Sequence, residues 1–223
     1  MNRLKTFLHL LKSSPTDSMA LSRLEQLNAM IESHPDSASA YYQRGILLAG
    51  DYMLPAQVHG RSEQNDVPQA IDDFNTAIDL DPSLVDAYYQ LANLYFALSI
   101  DDRTAQELLE KALNLAPNNI DCLLLYADLI CCEGVNAYAI EILDRVISED
   151  PSAKHFFYKA RTLMDNGEIA WNADNFVQGG NLFQAAIEIF QQVTLMEDND
   201  LYFPEAQEYI NHCQNVLSSH VCH

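Results

Sequence analysis

The chain has 223 residues, of which 48% are hydrophobic, enough to build a core for one large domain or one and a half ordinary ones. Its 32 Asp and Glu against 12 Lys and Arg give a formal net charge of -20. That balance argues against nucleic acid as a partner, because affinity for a phosphate backbone comes largely from Lys and Arg displacing counterions.

The N-terminal stretch MNRLKTFLHLLKSS places basic residues before an apolar patch, but the patch is short, contains His9 and runs into Lys12 without an A-x-A-like cleavage site. Leu4, Phe7, Leu8 and Leu11 beside Arg3, Lys5 and Lys12 form a stripe expected to pack on the next helix or, alternatively, to lie on a membrane surface. Residues 1–34 carry four basic and three acidic residues, so the excess acidity belongs to residues 35–223. No run approaches eighteen apolar residues, and no N-x-S/T acceptor occurs. Cys122, Cys131, Cys132, Cys213 and Cys222 lack the even framework of a small secreted domain and are expected as free thiols. A cytoplasmic location is expected.

From residue 35 onward the chain nearly repeats a phrase. Pro35, Pro82, Pro117 and Pro151, with Asp198 in the next equivalent slot, are spaced by 47, 35, 34 and 47 residues, and 47 is 34 plus 13. Other positions follow the same register. Tyr41, Arg44, Gly45 and Leu48 precede Ala70 and Phe74; Tyr88, Leu91, Ala92 and Tyr95 precede Ala105 and Leu109; Leu123, Tyr126, Ala127 and Ile130 precede Ala139 and Leu143. Small residues at fixed places let two antiparallel helices approach closely, and the proline stops the second helix.

The 34-residue period with these coupled positions resembles the tetratricopeptide repeat family over roughly residues 36–198. The resemblance implies an all-α, right-handed α-solenoid of helix-turn-helix hairpins. Residues 1–35 are expected as a degenerate first helical pair. Four units follow, at about 38–84, 85–119, 120–153 and 154–200, with 13-residue insertions in the first and fourth. Residues 201–223 are expected as a capping helix and a frayed tail, with Ala206, Tyr209, Ile210, Cys213, Val216 and Leu217 inward and Glu205, Gln207, Glu208, Asn211 and Gln214 outward. In the fourth unit Arg161 stands where a small residue is expected, so either the helices splay or the arginine turns outward. The insertion at 53–66 reads as a loop, and that at 168–180 as a lengthened first helix ending near Gly179-Gly180.

Motifs for catalysis are nearly lacking. GILLAGDY has the glycine spacing of a phosphate loop, but Asp51-Tyr52 replaces its Lys-Ser/Thr. In DNDLYF, Phe203 stands at the glycine position a calcium loop requires. The cluster His212, Cys213, His220, Cys222 and His223 fits no zinc spacing, so neither a metal nor a cofactor is expected. Cys131-Cys132 read as small hydrophobes or as a redox pair.

Family resemblance implies that first helices line a concave groove that meets a peptide or partner helix. Carried over by register, the contact residues are Ser39, Tyr42, Ile46 and Ala49; Asp86, Tyr89, Asn93 and Phe96; Asp121, Leu124, Asp128 and Cys131; His155, Tyr158, Thr162 and Asp165. Asp86 and Asp121 also sit where a first-turn carboxylate stabilises the helix dipole, whether or not anything binds. Some relatives hold a C-terminal carboxylate with Lys, Asn and Arg; here only Asn93 survives of such a clamp. The expected function is therefore a non-enzymatic scaffold or adaptor whose acidic, tyrosine-bearing groove takes a basic or amphipathic segment of a partner protein. Alternatives are an acidic chaperone or immunity-type antagonist of a basic effector, and an enzyme that uses the insertions with Trp171, His59 and His155 about a pocket.

Overall fold

The computed structural model describes residues 15–50, 66–131 and 137–220. Among them every regular element is a helix: α1 (Pro15–Ser33), α2 (Ala38–Ala49), α3 (Val67–Leu80), α4 (Val85–Ala97), α5 (Asp102–Leu115), α6 (Ile120–Cys131), α7 (Ala137–Glu149), α8 (Ala153–Asn172), α9 (Phe176–Thr194) and α10 (Phe203–His220). The stretch 3–12, most of the insertion at 53–66 with His59, Cys132, and the tail residues Cys222 and His223 lie outside the described residues.

The prolines act as the phrase implied. Helices α1, α3, α5 and α7 end at Ser33, Leu80, Leu115 and Glu149, each two residues before a proline. The residue in between leaves the helical region: Asp81 has φ -136 and ψ 89, Ala116 φ -134 and ψ 81. A proline ring would clash with a helical predecessor, so the turn is set by two residues. The following helices open on side-chain caps where the sequence supplies one, such as Asp101 accepting from the Thr104 amide at 3.2 Å.

The chain divides after Pro117 into two compact units. In the first, α2 pairs with α3 and α4 with α5, while α1 packs on α2. Gly45 shows why a small residue is required: a Cβ there would lie 2.8 Å from the Phe74 ring. Ala70, Phe74 and Ala77 on α3 are fully buried, as are Ala92 on α4 and Ala105 and Leu109 on α5. These apolar faces recur at three- and four-residue spacing, so each helix buries one stripe.

In the second unit α6 pairs with α7, α8 with α9, and α10 covers α9. On α10, Ala206, Ile210 and Cys213 are buried, while Glu205, Gln207, Glu208, Asn211 and Gln214 face solvent, as a capping helix requires. Helices α8 and α9 have 20 and 19 residues, against 12 to 14 for the other paired helices. The extra length is shared by both. Phe157, Ala160 and Met164 face Ala186, Phe190 and Val193 in the ordinary part of the hairpin, all buried. Two turns further along, Gly167 meets Phe183, with a Cβ position only 3.0 Å from the ring. Gly167 lies seven residues after Ala160 and Phe183 seven before Phe190, so the glycine-on-phenylalanine contact of the first hairpin recurs one heptad beyond its usual place.

This corrects the expected end of the first helix at Gly179-Gly180. Helix α8 stops at Asn172, Asp174 turns the chain with a positive φ of 60, and Asn175 caps α9 by accepting from the Gln178 amide. Asp and Asn tolerate that left-handed turn better than most residues. Gly179 is inside α9, where its missing side chain lets the backbone approach the Gly167 carbonyl, at 3.0 Å from a Cβ position. A glycine read as a breaker is here a spacer.

Candidate functional site

In the first unit, α2 and α4 place Tyr42, Ile46, Tyr89, Asn93 and Phe96 half-buried and Asp86 exposed. Burial raises the Tyr42 phenol above its ordinary pKa, nearby Asp86 raises it further and a hydrogen bond with Gln90 opposes both. Tyr42 also packs on Phe74, with ring centroids 6.1 Å apart. Ser39 is exposed, and Ala49 is buried.

The single basic residue of α2 and α4, Arg44, is turned inward. It grips Asp73 of α3 with two hydrogen bonds of 2.7 Å, donates to Asn28 of α1 at 2.8 Å, and leaves Gln69 to reach the same carboxylate at 3.1 Å. Asp73 is 1% exposed, and its hydrogen bonds hold the Arg44 guanidinium above its ordinary pKa against burial. This bidentate pair ties three helices together. It also removes the only cation that could neutralise Asp86 from these two helices.

The second unit differs. Arg161 turns away from α9 and donates to Asp128 of α6 at 2.9 Å, with its guanidinium 4.7 Å from the centre of the Tyr158 ring. The small-residue places against α9 are filled by Ala160 and Gly167 instead, so the helices need not splay. Burial raises the Asp128 carboxyl, and Arg161 opposes it; Asp165 is raised by burial too, with Arg161 again opposing. Tyr158 is likewise raised by burial, and Asp128 adds to it. The face expected as plainly acidic therefore carries its own counter-ion, and the Tyr158 face is already covered by it.

Several residues expected by register lie below the surface. Leu124 is 7% exposed, and Thr162 and His155 are each 3% exposed. His155 Nδ1 lies 2.7 Å from the Asp150 carbonyl, which can only accept, so this nitrogen carries the proton and locks the turn before α8. Cys131 is half-buried and Asp121 exposed in the first turn of α6. Asp198 caps α8 through the Ala153 amide at 2.9 Å, while Asn199 donates to the last carbonyls of α9, so both staple helix ends.

The expected enzyme pocket does not form as drawn. Trp171 and His155 are sixteen residues apart on one helix, roughly 24 Å at 1.5 Å per residue. Trp171 instead borders a depression of about 230 Å³ with Glu168, Asn172, Phe183, His212 and Val216. His212 Nε2 is 2.8 Å from Glu168 Oε1, while its neighbour Cys213 is buried with its thiol pushed up to about 11, by burial first and then Glu168. His212 is therefore exposed at the rim, whereas Cys213, about 100° round α10, is packed inward. Among the described residues, Cys122 and Cys213 are buried and Cys131 half-buried, and no group of three His, Cys, Asp or Glu side chains is arranged to hold a metal ion.

Repeat-family models match residues 62–99, as a TPR repeat, and residues 86–119, as a tetratricopeptide repeat. Residues 62–119 carry tetratricopeptide repeats. Solved structures share the architecture of this repeat protein at low identity. A MamA protein is 20% identical with a TM-score of 0.59, covering 82% of this chain and 88% of its own. MamA from Desulfovibrio magneticus RS-1 is 18% identical at 0.54, covering 79% and 92%. The thermophilic TPR protein TTC0263 from Thermus thermophilus is 14% identical at 0.55, covering 95% and 96%. These likenesses establish the helical-hairpin solenoid fold. No curated protein matches the chain.

Proposed function

We propose that this tetratricopeptide-repeat protein is a non-enzymatic binding scaffold that engages a Lys/Arg-bearing or amphipathic segment of a partner protein, chiefly through the α2–α4 face of its first unit. One observation carries the reading: half-buried Tyr42 feels the charge of exposed Asp86, Tyr89 and Phe96 are half-buried along α4, and Arg44 is committed to buried Asp73. Aromatic rings with a polar tip supply contact area at small entropic cost, and an uncompensated carboxylate field steers a cationic partner. The whole chain's charge of -20 extends that field. In the second unit Asp121 and Asp165 contribute charge, but Asp128 and Tyr158 are shared with Arg161, so that face plays the weaker part. Family membership supports protein binding generally; the choice of a basic client rests on the charges.

A fluorescently labelled Lys/Arg-rich peptide titrated at low and at high salt tests this. Affinity should fall at least about tenfold between roughly 0.05 and 0.5 M salt, as screening shortens the reach of the carboxylates. Asp86→Asn and Tyr89→Ala should each weaken binding at low salt. Affinity independent of salt and of both substitutions would reject the reading.

A further inference from the structure

We infer that the depression at the far end of the lengthened hairpin is a separate recognition site, shaped for the guanidinium of one arginine on a partner protein. Three of its six lining residues, Glu168, Trp171 and Asn172, belong to the segment by which this hairpin exceeds the ordinary repeat. Phe183 of α9 and Val216 and His212 of α10 complete it. The extra turns thus build a surface that a 34-residue unit does not possess.

Size selects the kind of occupant. At about 230 Å³ the space falls below the roughly 300–1,000 Å³ of sites that enclose drug-sized molecules, and it suits a single side chain. Chemistry selects which one. Trp171 is held by edge-on contacts with Phe176 at 5.2 Å and Phe183 at 5.7 Å, so the indole is presented in a fixed orientation. A carboxylate from Glu168 lies three residues earlier on the same helix, one turn away, and the Asn172 amide adds an acceptor oxygen. An indole wall with a carboxylate and an amide oxygen at its rim matches a planar, weakly hydrated cation with several donors. An anion would meet Glu168 and, close by, Asp165, whose carboxyl responds to the Glu168 charge.

Glu168 is already engaged by His212 through Oε1, and that contact joins α8 to α10. A carboxylate can accept several hydrogen bonds, so the guanidinium adds to the contact at the other oxygen. The site is distinct from the α2–α4 face and does not depend on it.

Trp171 is the sole tryptophan of the chain, so its fluorescence and indole N–H resonance report on this site alone. The full-length protein is titrated with N-acetyl-arginine amide and, in parallel, with the uncharged isostere N-acetyl-citrulline amide. A saturable arginine response with a dissociation constant on the order of millimolar is expected, with citrulline at least about tenfold weaker. Glu168→Gln should abolish the preference for arginine, and Val216→Phe should block both by filling the space. Asp86→Asn, which strikes the first-unit face, should leave the response unchanged. Circular dichroism melting of each variant shows that it remains folded. Equal responses to arginine and citrulline, no saturable response to arginine, or an unaltered arginine preference in Glu168→Gln would overturn the assignment.

Discussion

Each unit of the molecule contains one arginine at a position where the repeat ordinarily places an uncharged residue, and the two have opposite consequences. Arg44 goes inward, makes a bidentate pair with an almost wholly buried aspartate and becomes part of the core. Arg161 reaches Asp128 by one hydrogen bond at about one-third exposure and becomes part of the surface. The same residue type thus leaves α2 and α4 without a surface cation of their own and gives the other first-helix face one. What decides is the partner: Asp73 sits on the paired second helix, whereas Asp128 sits on the first helix of the neighbouring hairpin.

The largest test of that contrast is Arg44→Met. Leaving the Asp73 carboxylate buried without its guanidinium should cost about 3–5 kcal/mol, read as a lowered urea midpoint. Adding Asp73→Leu should recover most of the loss, because the desolvated charge is then gone. Arg161→Met, by comparison, should cost less than Arg44→Met, since Asp128 keeps 30% of its side chain exposed where Asp73 keeps 1%.

The paired glycine contacts come next. Gly45→Ala and Gly167→Ala should each destabilise by about 1–3 kcal/mol, Gly45 more, because the added methyl meets a phenyl ring at 2.8 and 3.0 Å in two packed hairpins. Gly180→Ala, on α9, should instead stabilise by about 0.5–1 kcal/mol: its Cβ meets Leu217 and Trp171 at ordinary distances of 3.7 and 3.9 Å and the helix gains from losing a glycine. If all three melted alike, the close approach in the extended hairpin would not be what the two buried glycines serve.

A smaller effect should appear in binding. Arg161→Gln should tighten a Lys/Arg-rich peptide by roughly threefold at low salt, since Asp128 and Asp165 lose their internal counter-ion. The smallest concerns pH. Asp128 keeps its proton in the folded chain above the ordinary carboxylate value of 3.8, because burial outweighs Arg161. Its contribution to stability is therefore fully present below that value and lost as pH rises through the raised midpoint. A carbon-detected NMR titration should place that midpoint above the usual range, and in Arg161→Met it should move higher still.

Much of this was legible in advance. The prolines, the small residues and the inward stripe of α10 each follow from local rules: ring closure, helix–helix distance and amphipathic period. The lengthened hairpin was only half readable. Its thirteen extra residues are evident from the spacing, yet the pattern points to a turn at Gly179-Gly180 and not at the N-A-D-N tetrapeptide, because a glycine that breaks a helix and one that lets two helices touch look the same in one dimension. Register puts Leu124, His155 and Thr162 on the contact face, but register gives a direction around a helix and not the depth to which neighbours cover it.

The sequence by itself determined the helical hairpins, the proline-set ends of their second helices and their closely packed faces, since these depend on residues within a few turns or one period of each other. Only the tertiary structure decided where the charges went. Whether an arginine neutralises a binding face or a buried aspartate, and whether Trp171 stands beside Glu168 and His212, depends on which helices are brought together across tens of residues. Electrostatic pairing falls off with distance in space, and spacing along the chain carries no measure of that distance.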